Sequence, residues 1–122
     1  MSNQEIDQLF KQEFGIRGSV TDFQHQLYHQ TIELNTPLLE LIPKLPGQHS
    51  IISNIFPDTL EDLTHRGILE NFVRPIYSCE VGLAKPDPDI YYHALMQFPD
   101  CKPRECLLVD DKNHNLSAAA DV

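Results

Sequence analysis

Leu107-Leu108-Val109-Asp110-Asp111 decides how this chain is read: an apolar stretch of strand character ends in two adjacent carboxylates. Neighbouring carboxylates repel each other, and at a strand terminus partly shielded from water both stay ionised only with a cation beside them. An oxygen-rich corner of this kind suits Mg2+, which takes one or two protein carboxylates and keeps several waters. The plainer alternative is a turn, in which Asp110-Asp111-Lys112-Asn113 caps the next helix and binds nothing. The rest of the chain separates the two.

Two further segments share the design of an apolar stretch delivering a polar group at its C-terminal end. His49-Ser50-Ile51-Ile52-Ser53-Asn54 ends in a hydroxyl and an amide. Val81-Gly82-Leu83-Ala84-Lys85-Pro86-Asp87-Pro88-Asp89 presents one lysine just ahead of a helix start. Open α/β sheets bind ligands outside the carboxyl ends of their parallel strands. A hydroxyl, an ammonium and a metal-binding carboxylate meeting there make an anion site, and a phosphoryl group is the anion they suit best.

Working outward, the first third reads as helical. Ile6, Leu9, Phe10 and Phe14 share a face that Gly15 closes. Val20, Phe23, Leu27 and Leu34 step at helical intervals behind Ser19 as N-cap. Leu38, Leu41, Ile42 and Leu45 form a third stripe, with Thr36 as N-cap, Pro37 in the first turn and Pro43 cutting the helix short. These stripes are expected to be core. After Gly47 the pattern turns to strand–helix alternation, which argues for a parallel sheet. Strands are expected at Gln48 to Ser53, at Val73 to Cys79 (an edge, because of Pro75) and at Cys106 to Asp110. Helices are expected from Pro57 to His65, from Asp87-Pro88 onward and from Asn113 onward.

The 122 residues allow one domain plus a small helical appendage, and 41% hydrophobic content supports a modest core. A formal charge of −9, with no basic stripe to displace counterions, argues against a nucleic-acid backbone as partner. A phosphate pocket needs only local positive charge. Three cysteines, Cys79, Cys101 and Cys106, leave at least one unpaired and show no Cys-x-x-Cys spacing, which favours a reduced compartment. With no span of membrane length, the expectation is a soluble, cytoplasmic protein with no membrane partner.

In order and spacing, Ser53-Asn54, Lys85 within Gly82-Leu83-Ala84-Lys85-Pro86-Asp87-Pro88, and Asp110-Asp111 followed by Asn115 resemble motifs two, three and four of the haloacid dehalogenase superfamily. The likeness is greatest to its phosphatase-type members with a small helical cap. It implies an α/β fold, a partial Rossmann-like three-layer parallel sheet over residues 47–122, with residues 1–46 as a helical cap that covers the site. It further implies a hydrolase acting on a small phosphorylated metabolite through an aspartyl-phosphate, with Mg2+ as cofactor. Ser53 would donate to a phosphoryl oxygen. Asn54 would hold the backbone of the lysine loop or reach the phosphate, and Lys85 would pair with nucleophile and phosphate. Asp111 would ligate the metal directly, Asp110 would be a second or water-mediated ligand, and Asn115 would fix the carboxylate. The dehalogenases of the superfamily work without a metal, so Asp110-Asp111 favours phosphatase.

One departure matters as much as the match. The family nucleophile is the first aspartate of an Asp-x-Asp placed after an apolar strand ahead of the cap. Asp87-Pro88-Asp89 is the sole Asp-x-Asp here and follows the lysine. The resemblance therefore implies a partial chain without its nucleophile, inactive alone. Its missing strand would belong between the Ser53 and Asp110 strands, so an oligomer or a strand-donating partner would have to cover the exposed edges. The competing function is a non-catalytic binding or interaction module that keeps the fold. His25 and His29 could share a helix face as metal ligands, but Gln26 stands where a zinc-protease helix carries glutamate, and a solvated pair is expected. His114 is read as a surface histidine, and Cys101 and Cys106 flank a turn with no chemistry assigned.

Overall fold

The computed structural model describes residues 2–20, 22–23, 26–27 and 33–122. They form two compact units, one of residues 1–49 with 56–71 and one of residues 50–55 with 72–122. Residues 56–71, read from the sequence as part of the α/β half, group with the first unit.

The first unit is helical. Helix α1 (Asn3–Phe14) starts on a capping box that the sequence carries as Ser2-x-x-Glu5. The Glu5 amide donates to Ser2 Oγ, and the Ser2 amide donates to Glu5 Oε2 at 2.6 Å, so two orphan amides of the first turn are satisfied. It ends at Gly15, whose φ of 64° lets its N–H reach the Lys11 carbonyl. Ser19 caps the next segment as expected: its Oγ accepts from the Asp22 amide at 3.0 Å and donates to Asp7 Oδ2 at 2.6 Å. Residues 20, 22–23 and 26–27 are helical there, and the positions of His25 and His29 lie outside the described residues.

Helix α2 (Thr36–Leu41) is capped by Asn35, not Thr36: Asn35 Oδ1 accepts from the Leu38 amide at 3.1 Å. Asparagine and threonine are both competent caps, and the one whose side chain meets the third amide takes the role. Pro43 then converts the chain to a 3-10 turn over Ile42–Lys44. Helix α3 (Pro57–His65) follows, with Asn3 Nδ2 donating to Asp58 Oδ1 to tie α1 to it. The apolar stripes expected as core are not core. Only Ile6 is buried in α1, Phe14 is 70% exposed, and Leu38, Leu41 and Leu45 are about half exposed. Periodicity identifies the face to be covered, but a cover requires a packed neighbour, and the described residues of this unit provide little.

In the second unit, β1 (Ile52–Ser53) pairs in parallel with β2 (Ile76–Tyr77), with Ile52 opposite Ile76 and Ser53 opposite Tyr77. Both are shorter than expected. The Val73–Cys79 strand begins only after Arg74 and Pro75, and Ser78–Val81 coils into a short helix, α4, closed by Gly82 at φ 70°. Arg74 has φ 48°, a strained value for a side-chain-bearing residue. It is fixed by a 2.8 Å bond from Nη1 to the Gln97 carbonyl, with its guanidinium 5.0 Å from the centre of the Phe98 ring. Helix α5 (Pro88–Met96) starts on Asp87, whose Oδ1 accepts from the Asp89 amide at 3.0 Å. A 3-10 turn over Pro103–Glu105 and helix α6 (Asn113–Ala120) complete the order. The core is Ile76, Ile90 and Tyr91, flanked by Ile52, Val81, Leu83, Ala94, Leu108, Ala118 and Ala119.

The third expected strand is absent among the described residues. Residues 106–110 join no ladder, and Leu107 and Val109 are 89% and 85% exposed while Leu108 packs against the core. A strand exists only with a partner, and this segment has apolar side chains on both faces but a neighbour on one. The α/β class holds, with a two-stranded sheet. Ile90→Ala is expected to lower stability by about 3 kcal/mol, as a cavity in a fully buried site does. Leu107→Ala should cost under about 0.5 kcal/mol. Urea unfolding of both variants checks the pair.

Candidate functional site

The polar centre of the second unit is built where β1 ends. Asn54, one residue beyond β1, grips Lys85 by its backbone: Oδ1 accepts the Lys85 amide at 2.8 Å and Nδ2 donates to the Lys85 carbonyl at 2.7 Å. A side-chain amide has one donor group and one acceptor, so this two-point contact uses both and fixes the loop's register. The Lys85–Pro86 peptide is cis, and the Asp87 amide bonds back to the Ala84 carbonyl at 2.9 Å. A second brace comes from Ser78, whose hydroxyl accepts the Ile55 amide at 2.9 Å and holds the segment after β1.

The lysine side chain then runs to Asp110, where Nζ lies 2.5 Å from Oδ2. Both side chains are withdrawn from solvent, Lys85 to 14% and Asp110 to 4% exposure. Withdrawal is costly for an unpaired charge, and the site compensates with donors. Asp110 Oδ1 accepts from the Lys112 amide and from Asn115 Nδ2, each at 2.9 Å. The Lys85 ammonium, then the Asn115 amide, with the Lys112 N–H assisting, hold the Asp110 carboxyl well below the usual carboxylate range against the opposing effect of burial. Asn115 is itself buried, and its backbone carbonyl accepts the Tyr91 hydroxyl at 3.0 Å. Burial first, and the Asp110 charge second, raise the Tyr91 phenol above its ordinary value.

The fold thus brings together Asn54, Lys85, Asp110 and Asn115, which are far apart in sequence. Ser53 is half-buried at the last position of β1, beside Asn54. Asp111 stands outside this group: it is exposed, with no hydrogen-bond or ion-pair partner among the described residues. His114 is exposed on the first turn of α6. Tyr91 and Ser78 escaped the sequence reading. Tyr91 looks like one more apolar position on α5, and nothing near Ser78 distinguishes a bracing hydroxyl from a turn serine.

Asp110, read from the sequence as a second or water-mediated metal ligand, meets three donors, one of them a cation, which leaves one of its roughly four lone-pair sites open. Asp111 offers a solvent-facing carboxylate, a donor of the kind Mg2+ accepts when water and phosphate oxygens complete its octahedron. Among the described residues no three His, Cys, Asp or Glu side chains gather into a metal-holding cluster. The residues thus offer Mg2+ a solvent-facing donor in Asp111, with room at Asp110 Oδ2 for a water-mediated contact.

Linkage fixes the pH behaviour. A carboxyl whose folded pKa is depressed contributes stability that is complete above the ordinary carboxylate range and is lost as pH falls below it. Asp110→Asn should lower stability at pH 7 by about 3 kcal/mol, since it strands a buried ammonium. The gap between wild type and variant should narrow as pH falls below about 4. Carbon NMR titration of the wild type should show the Asp110 carboxylate still ionised well below the usual carboxylate range.

A family model described as haloacid dehalogenase-like hydrolase matches residues 37–122. Among curated proteins, the bifunctional epoxide hydrolase 2 of Rattus norvegicus is 31% identical over 97 residues, covering 73% of this chain and 17% of that protein. The Mus musculus protein of the same name is 29% identical over 108 residues, covering 80% of this chain and 19% of its own length. The chain thus spans less than a fifth of these relatives. No solved structure matches it significantly.

Proposed function

This chain belongs to the haloacid dehalogenase-like hydrolases, and from that premise we propose that it carries the phosphate-binding part of a Mg2+-dependent phosphatase acting on a small phosphorylated metabolite. The observation that carries the reading is the Lys85–Asp110 pair held at the end of β1 by the two-point grip of Asn54. Phosphoryl transfer is catalysed chiefly by positioned charge, because negative charge spreads over the phosphoryl oxygens in the transition state. Lys85 is such a charge. Its backbone is fixed by Asn54 and its ammonium by Asp110, so it needs no reorganisation when phosphate arrives. Ser53 would donate its hydroxyl to the same group from the end of β1. Asp110 acts as the anchor of Lys85, with Asn115 and Tyr91 behind it. Asp111 would hold Mg2+, which when bound supplies a positive charge for the phosphoryl oxygens.

The attacking carboxylate of an aspartyl-phosphate route is not supplied by the one Asp-x-Asp in these residues, since Asp87 is occupied in capping α5. We therefore assign the nucleophile to a strand outside these 122 residues. Beside β1 and the 106–110 segment, such a strand would complete a Rossmann-like parallel sheet. The uncovered Leu107 and Val109 side chains support that placement. The relatives are named bifunctional, and these residues match under a fifth of them, so the activity assigned here is that of one part of such a protein.

The test uses the 122-residue chain with p-nitrophenyl phosphate and Mg2+. No turnover above background is expected, whereas Lys85 and Ser53 amide resonances should shift on adding inorganic phosphate with Mg2+. Fusing an apolar strand that ends in Asp-x-Asp ahead of the chain should restore turnover, and Lys85→Met in that fusion should reduce it by at least about a hundredfold. Turnover by the unfused chain overturns the assignment of the nucleophile. Phosphate-insensitive resonances at Lys85 and Ser53 overturn the phosphate site. Phosphate binding with an inactive fusion favours the non-catalytic binding module instead.

A further inference from the structure

A second chemical feature lies in the turn between α5 and the 106–110 segment. Cys101 and Cys106 place their sulfurs 3.4 Å apart, within van der Waals contact, and both are free thiols. The turn that brings them together is hydrogen-bonded throughout. The Cys101 amide donates to the Phe98 carbonyl at 2.9 Å, the Glu105 amide to the Lys102 carbonyl at 2.8 Å, and the Cys106 amide to the Pro103 carbonyl at 3.0 Å. Glu105 adds a reciprocal contact, its Oε2 accepting the Lys102 amide at 2.9 Å. The thiols also point at one backbone acceptor, the Lys102 carbonyl, at 3.9 Å from Cys101 Sγ and 3.5 Å from Cys106 Sγ. Sequence spacing alone conveys none of this, since five residues of free chain would let the two sulfurs wander.

We propose that Cys101 and Cys106 form a dithiol–disulfide pair, a redox modification site whose reaction partner is a small-molecule disulfide such as oxidised glutathione. Cys106 is exposed and Cys101 half-buried, so Cys106 meets the oxidant first. Its thiol loses a proton to solvent, and the thiolate attacks one sulfur of the oxidant, releasing one glutathione thiol and leaving a mixed disulfide. Cys101, also deprotonated, attacks Cys106 Sγ. The mixed disulfide breaks, the second glutathione leaves, and the Cys101–Cys106 bond forms. The protein loses two hydrogens and the oxidant gains two. The sulfurs need close by only about 1.4 Å to reach bonding distance. Burial, together with the neighbouring Cys101 and Glu105, raises the Cys106 thiol above its ordinary value. The reaction is therefore slow at neutral pH and accelerates as pH rises. Cys79, half-buried in α4, is outside the pair.

The test treats the whole chain and its Cys79→Ser variant with oxidised glutathione. The titratable thiols of the wild type should fall from three to one, and both proteins should lose about 2 Da with no retained glutathione. Trypsin should then release the peptide ending at Arg104 disulfide-linked to the peptide beginning at Glu105. Cys101→Ser and Cys106→Ser should each abolish the 2 Da loss. To show that the fold and not chain proximity makes the pair, the disulfide-to-dithiol ratio in a fixed glutathione buffer should be at least about tenfold higher for folded Cys79→Ser than for the same protein in urea. A stable glutathione adduct on Cys106, a cross-link to Cys79, or equal ratios folded and unfolded each overturn the proposal.

Discussion

The buried ion pair between Lys85 and Asp110 is the constraint on which the second unit depends. Its strength lies less in the attraction itself than in the cost of leaving either charge alone away from water. That cost makes every surrounding donor obligatory. Asn54 must hold the lysine loop, Asn115 and the Lys112 amide must complete the Asp110 shell, and Tyr91 bonds the Asn115 backbone carbonyl. Three chain segments are thereby locked at one point, although only two residues of each strand are paired in the sheet.

The same pair shapes what the site can do. The chain carries a formal charge of −9, so positive charge is available only locally. Lys85 is largely offset by Asp110, and the carboxylate next to it, Asp111, faces solvent uncommitted. The two chemically identical side chains thus sit in different surroundings, Asp110 withdrawn against Lys85 and Asp111 exposed. One anchors the Lys85 ammonium; the other meets solvent.

Leu107-Leu108-Val109 shows the limit of what apolar composition can achieve. Its middle residue packs on the core, and yet the segment forms no strand among the described residues. Hydrophobicity favours burial but cannot create the partner that accepts a ladder of hydrogen bonds. The stripe of α2 and the turn after it behaves likewise, with Leu38, Leu41 and Leu45 half-covered.

The sequence by itself determined the features that depend on near neighbours. Asp87-Pro88 opens α5, Gly15 closes α1, Ser19 caps its segment, Pro43 tightens the chain after α2, and the order of Ser53-Asn54, Lys85 and Asp110-Asp111 identifies the family. Each is settled within a few residues by φ restriction or by the reach of one side chain. Only the tertiary structure decided which of the two adjacent aspartates takes the lysine and which faces water. It also decided that Asn54 grips backbone, that Tyr91 supports Asn115, and that two unremarkable cysteines touch. Those outcomes depend on distances between segments tens of residues apart, and such distances are set by packing, which no local pattern of residues encodes.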